Sequence, residues 1–87
     1  MAKYKVVWKR SAHKELEKLP GTMILKIVRA VEQLGDDPHP EGSKKIIGSD
    51  QAFRIRIGSY RVIHDVFENI LTVQIVRVRH RKDAYRK

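Results

Sequence analysis

Residues 53–64 read Phe53-Arg54-Ile55-Arg56-Ile57-Gly58-Ser59-Tyr60-Arg61-Val62-Ile63-His64. Apolar and basic side chains alternate strictly up to Gly58, the period of a half-buried β-strand. Gly58-Ser59 places glycine at the first central position of a two-residue turn, as a type II′ hairpin prefers. A turn of that length sets the pairing. Ile57 lies opposite Tyr60, Arg56 opposite Arg61, Ile55 opposite Val62, Arg54 opposite Ile63 and Phe53 opposite His64. Directly opposed residues share a face. One face therefore holds Phe53, Ile55, Ile57, Tyr60, Val62, His64 and Val66, and reads as core. The other holds Arg54, Arg56, Arg61, Ile63, Asp65 and Phe67, and reads as open.

Downstream, Glu68-Asn69 is a second turn and Ile70 to Val78 a third strand. Continued alternation puts Leu71, Val73 and Ile75 on the core face. It puts Thr72, Gln74, Val76 and Val78 on the open face. Upstream, Lys44 to Ile47 is a short strand, and Gly35 to Ser43 (GDDPHPEGS) is a loop by composition. Before the loop the period changes to that of helices. Ile24, Ile27, Val28, Val31 and Leu34 form an i, i+3, i+4, i+7 stripe, with Thr22 as N-cap and Gly35 as the stop. An earlier helix runs from an N-cap at Ser11 to Leu19. Its apolar residues are Ala12, Leu16 and Leu19, its exposed face carries Lys14, Glu15, Glu17 and Lys18, and Pro20-Gly21 ends it. Lys3 to Trp8 (KYKVVW) is a strand by its β-branched and aromatic content. The order is βααβββ(β). It predicts a single α+β domain over residues 1–87, a small antiparallel sheet of about four to five strands with two N-terminal helices packed on one face.

The chain has 87 residues and carries 19 Lys plus Arg against 10 Asp plus Glu, a formal net charge of +9. From Ala52 onward there are nine bases against three acids, and seven of the nine are arginine. Arginine presents a planar fork of donors that matches phosphate and stacks on bases. Like charges opposite one another destabilise a sheet, so Arg54, Arg56 and Arg61 converging at one end of the open face call for an anionic guest. Cysteine is absent, which excludes thiol catalysis, disulfide staples and cysteine-based zinc sites. The expected compartment is the cytoplasm, because MAKYKVVWKR has no apolar h-region and no run reaches the ~18 residues of a membrane span.

The histidines are weighed one by one. His64 has core-face parity and reads as a core histidine. His13 and His39 have no partner at metal-ligand spacing, so no metal or cofactor is expected. His80 sits between Arg79 and Arg81, and continued alternation points it to the arginine face, where it can move a proton near neutral pH. Tyr85 is the only aromatic residue of the tail.

YKVVWKRSAHKELEKLP, FRIRIGSYRVIHDV and VRVRHRKDAY, in that order, resemble the RelE/ParE superfamily of toxins from toxin–antitoxin modules. The resemblance implies an α+β, microbial-ribonuclease-like domain. In the RelE branch it implies a ribosome-dependent, metal-independent endoribonuclease that cuts mRNA in the A site through 2′-OH attack, leaving a 2′,3′-cyclic phosphate. Carried over by position, the catalytic cluster is Arg54, Arg56, Arg61, Arg81 and Tyr85, with His80 beside it. Lys44, Lys45, Arg77, Arg79 and Lys82 would bind RNA phosphates. Two of the cluster positions hold lysine in the best-known member, whereas Arg54 and Arg56 are arginine here, and arginine effectively never deprotonates. The implied partners are a RelB-like antitoxin, the ribosome and mRNA, with operator DNA reached only through the antitoxin complex. The alternatives are a ParE-like inhibitor of DNA gyrase and a non-catalytic nucleic-acid-binding co-repressor of the same fold.

Overall fold

The hairpin forms with the register its turn dictates. β3 (Ala52–Ile57) and β4 (Tyr60–Phe67) pair antiparallel, Ile57 opposite Tyr60 through Phe53 opposite His64. Gly58 sits at φ +60, a backbone region that glycine enters without steric cost. A computed structural model describes residues 3–80. Around the hairpin it arranges β1 (Lys5–Trp8), β2 (Lys44–Lys45) and β5 (Thr72–His80) into one sheet of order β1-β5-β4-β3-β2. The two edges are short, and β2 is simply a pair of exposed lysines. Short, charged edges discourage pairing with other chains.

The sheet is mixed rather than wholly antiparallel, because β1 runs parallel to β5. The crossover between them is the whole of the intervening chain. Helices α1 (Arg10–Glu17) and α2 (Gly21–Gln33) follow β1 directly. Their apolar stripes supply Ala12, Leu16, Ile27 and Val31 to the core. These meet Ile55, Val62, Val66, Val73, Ile75 and Val78 from the sheet. Full burial of each aliphatic side chain is worth roughly 1.5–3 kcal/mol, so this layer holds the helices to one face. Both helices start earlier than the cap residues suggest. Lys9 and Pro20 occupy the N-cap positions, and neither side chain caps its helix. Helix α2 ends at Gln33, with Leu34 as C-cap, one residue short of Gly35.

Two features of β5 depart from simple alternation. The turn before it is a 3₁₀ helix, Glu68–Ile70, followed by Leu71 in the left-handed region (φ 46), so Leu71 is exposed rather than core. A bulge then interrupts the ladder. Ile63 pairs with Arg77 but His64 pairs with Ile75, leaving Val76 as the extra residue. One extra residue reverses the parity of every later position in the strand. Val78, expected on the open face, is therefore opposite Val62 and only 3% exposed.

Candidate active site

The open face of the hairpin becomes a basic platform once β5 is added. Arg61 lies opposite Arg56 on one side and opposite Arg79 on the other. Adjacent strands are ~4.8 Å apart, so three arginines start from one row about 10 Å wide. In the next row Lys44 lies opposite Arg54, Arg54 opposite Ile63, and Ile63 opposite Arg77. Gly42, Lys44, Arg54, Ile55, Arg56 and Arg61 line a cleft of about 300 Å³. Two unit charges 4 Å apart repel by about 1 kcal/mol in bulk water and about 4 kcal/mol at an effective dielectric near 20. A row of this kind stores repulsion that a bound anion converts into attraction. Asp65, on the same face, lies toward the far end, opposite Ala52 and Gln74.

The structure brings together Arg54, Arg56 and Arg61, as the hairpin register predicts, and the pairing of β2 with β3 sets Lys44 beside Arg54. By way of the bulge it adds Arg77, opposite Ile63, and Arg79, opposite Arg61. One expectation about facing is corrected. His80 pairs with Tyr60, its ring edge-on at 5.3 Å, and lies on the helix side of the sheet. Lys45 pairs with Phe53 and lies on that side too, away from the arginine row. The bulge at Val76 is the cause for His80, because it reverses the alternation that would have turned the ring toward the arginines. Arg81, Lys82 and Tyr85 lie outside the described residues.

One participant was not recognised in the sequence. Glu15, expected on the exposed face of α1, reaches the outer edge of β5. Its Oε1 accepts the Val78 N–H at 3.0 Å, and its Oε2 accepts the Arg79 Nε–H and forms an ion pair. An acid between Lys14 and Leu16 on an amphipathic helix carries no mark of such a role. Only the end of β1 at Trp8, which leaves the β5 edge uncovered, creates it.

The remaining histidines serve the scaffold. His64 is fully buried, and its Nε2–H donates to the Pro38 carbonyl at 3.0 Å. Burial holds its pKa below the ordinary 6.5, and nearby His39 pushes it the same way. The Pro38 bond and Asp65 push it back up. The ring is therefore neutral at physiological pH. His39 packs edge-on against Phe53 and lies 3.2 Å from Glu68, which also accepts the Tyr4 hydroxyl at 2.7 Å. The Tyr4 bond, then His39, hold the Glu68 carboxyl below its usual range, and the same bond raises the Tyr4 phenol. Together these contacts pin the Gly35–Ser43 loop, which leads directly into Gly42 and Lys44 of the cleft.

Residues 6–85 match the family model described as ParE toxin of type II toxin–antitoxin system, parDE. The chain belongs to the ParE toxin family. Within the wider RelE/ParE superfamily it is similar to toxin RelG of Mycobacterium tuberculosis, at 32% identity over 97% of this chain and 98% of that one. Its fold is similar to an archaeal RelE–RelB complex from Pyrococcus horikoshii, with TM-score 0.82 at 25% identity over 91% of this chain and 96% of that one. It is also similar to a RelB–RelE antitoxin–toxin complex from Methanococcus jannaschii, with TM-score 0.76 at 27% identity, covering 92% and 95%. The α+β fold expected from the sequence is the fold of these RelE toxins. The chain is thus a RelE-like toxin of the type II kind, with a basic row of Arg56, Arg61 and Arg79 on adjacent strands.

Proposed function

We propose that this toxin is a ribosome-dependent endoribonuclease of the cytoplasm that cleaves mRNA in the A site and halts translation. The observation that carries the reading is the alignment of Arg56, Arg61 and Arg79 across three adjacent strands beside a cleft lined by Lys44 and Arg54. RNA brings its own nucleophile. The 2′-oxygen attacks phosphorus, the bond from phosphorus to the 5′-oxygen breaks, and the products are a 2′,3′-cyclic phosphate and a free 5′-hydroxyl. A base takes the 2′ proton and an acid supplies one to the departing 5′-oxygen. Between these events the phosphorane carries extra negative charge. Fixed cations aimed at that charge are the protein's main contribution, and removing one such donor commonly costs ~10²–10³ in rate. In this reading Arg54, Arg56, Arg61 and Arg79 stabilise the charge, Lys44 and Arg77 hold neighbouring phosphates, and Arg81, Lys82 and Tyr85 complete the site from the tail. Tyr85 is then the proton-transfer candidate, since arginine does not deprotonate. The ribosome supplies alignment of the in-line geometry.

The relatives crystallised with RelB support a further part of the reading. A RelB-like antitoxin segment, acidic and ordered on binding, covers or distorts the basic face. Operator DNA is reached only through that complex.

Purified toxin added to translating ribosomes tests the proposal. Cuts within codons of the A site, bearing 2′,3′-cyclic phosphate ends, are the expected result, with Arg61→Ala reducing the rate ~10²–10³-fold. The family model's ParE description favours one rival, inhibition of DNA gyrase. DNA breaks with intact mRNA would establish that rival. Salt-sensitive RNA binding with no cleavage on ribosomes would establish a non-catalytic co-repressor.

A further inference from the structure

Cleavage of a phosphodiester by its own 2′-oxygen moves two protons. One leaves the 2′-oxygen and one reaches the departing 5′-oxygen. A single carrier, Tyr85, cannot stand at both ends of an in-line displacement. Arg54, Arg56 and Arg61 line the cleft and stabilise negative charge, but arginine effectively never releases a proton. The described histidines near the sheet are engaged elsewhere. His64 is buried against Pro38, His80 lies beside Tyr60 on the helix side, and His39 packs on Phe53. Asp65 lies toward the far end of the open face, opposite Ala52 and Gln74. Among the described residues that line the cleft, Lys44 alone can hand over a proton.

Its place in the sheet suits one end of the reaction axis. Lys44 comes from β2 and pairs with Arg54 of β3, while Arg61 comes from β4 and pairs with Arg56 of β3. Strands ~4.8 Å apart set β2 and β4 about 10 Å from each other, with Arg54 and Arg56 between them. Cations on the middle strand face the equatorial oxygens of a phosphate lying over it. A group on the edge strand reaches an apical oxygen. Lys44 is exposed, and its flexible four-carbon stem carries three donors. Beside it Gly42, at φ +92, has no atom within 4 Å of the place a Cβ would take. That open space admits the departing nucleotide.

We propose that Lys44 is the general acid of the cleavage, its ammonium donating a proton to the departing 5′-oxygen. As the bond from phosphorus to the 5′-oxygen breaks, its electron pair stays on that oxygen and takes the proton from Nζ. The amine left behind is neutral and regains a proton from water. The 2′ proton goes to the base on the opposite side of phosphorus. This role goes beyond holding a neighbouring phosphate, and it rests on the reading of the cleft as the phosphodiester site.

A change of leaving atom tests it. An mRNA whose scissile 5′-oxygen is replaced by sulfur departs as a thiolate, which is stable near neutral pH (thiol pKa ~8.5) and needs no acid. Single-turnover cleavage of the oxygen and sulfur mRNAs on ribosomes is measured for the parent, Lys44→Gln, Lys44→Arg and Arg61→Ala. Lys44→Gln should cut the oxygen mRNA ~10²–10⁴-fold more slowly, the usual worth of a general acid, and the sulfur mRNA at nearly the parent's rate. Lys44→Arg keeps the charge and the donors but does not release a proton, so it should behave like Lys44→Gln. Arg61→Ala removes charge stabilisation and should be slow on both.

Full activity of either Lys44 variant on the oxygen mRNA overturns the proposal. Lys44 variants equally slow on both mRNAs make the residue a phosphate contact or a strut, which overturns it while the nuclease reading stands. Sulfur that restores Arg61→Ala as fully as Lys44→Gln overturns it too, because the rescue is then not specific to a proton donor. A parent that cuts neither mRNA overturns the nuclease reading and the role of Lys44 with it.

Discussion

A single buried ring shows how residue-level chemistry reaches the site. His64 fills the core between the hairpin and the Gly35–Ser43 loop, and its hydrogen bond to the Pro38 carbonyl holds that loop in place. Its pKa lies below 6.5 in the folded chain, chiefly through burial. In the unfolded chain the ring titrates near 6.5. Between the two values the unfolded state binds a proton that the native state refuses, so stability rises with pH across that window. The contribution is fully present above pH ~6.5 and is lost as pH falls toward the folded value. Urea denaturation of the free toxin should therefore show a lower midpoint at pH 5.5 than at pH 7.5. His64→Leu should lose ~1–3 kcal/mol at pH 7.5, because the Pro38 carbonyl is left without its donor. The pH dependence should shrink at the same time. A variant that titrates like the parent would show that His64 is not the source of the pH dependence.

At the scale of elements, local signals were legible and non-local ones were not. The β3–β4 register comes from two residues, Gly58 and Ser59, because a tight turn leaves one pairing. The placement of Arg54, Arg56 and Arg61 on one open face comes with it. The bulge at Val76 had no such signature, since QIVRVRH alternates no worse through the bulge than without it. Its consequence, the burial of Val78 and the return of Arg79 to the face of Arg61, depends on which residues of β4 lie opposite. The parallel course of β1 and the reach of Glu15 are likewise set by contacts far apart in the chain. A matched pair of isosteric changes reads the bulge directly. Val78→Thr buries a hydroxyl in the core and should cost ~1–3 kcal/mol. Val76→Thr, at the half-exposed extra position, should stay within about 0.5 kcal/mol, as surface changes generally do. Equal costs would mean that the alternation runs unbroken through the strand.

For the whole molecule, a net charge of +9 on 87 residues is a self-repulsion that folding has to overcome, and the arginine row concentrates it. Salt should raise the melting temperature of the free toxin by screening. Screening alone makes no distinction between anions of equal ionic strength. A built phosphate site does, because a ligand that binds only the folded state stabilises it by RT ln(1 + [L]/Kd). Phosphate at about ten times its dissociation constant would add roughly 1.4 kcal/mol, or about 6–11 °C for a domain of this size. The double change Arg54→Gln and Arg56→Gln removes two of the cleft-lining cations and relieves repulsion at the same time. Its melting temperature in chloride should equal or exceed that of the parent, while the extra increment from phosphate over chloride at matched ionic strength should vanish. Such an opposition between stability and anion affinity is what a functional site built from like charges requires. If the double variant instead melts lower in chloride and keeps the phosphate increment, the cleft is a structural feature of the sheet and the anion binds elsewhere on the basic surface.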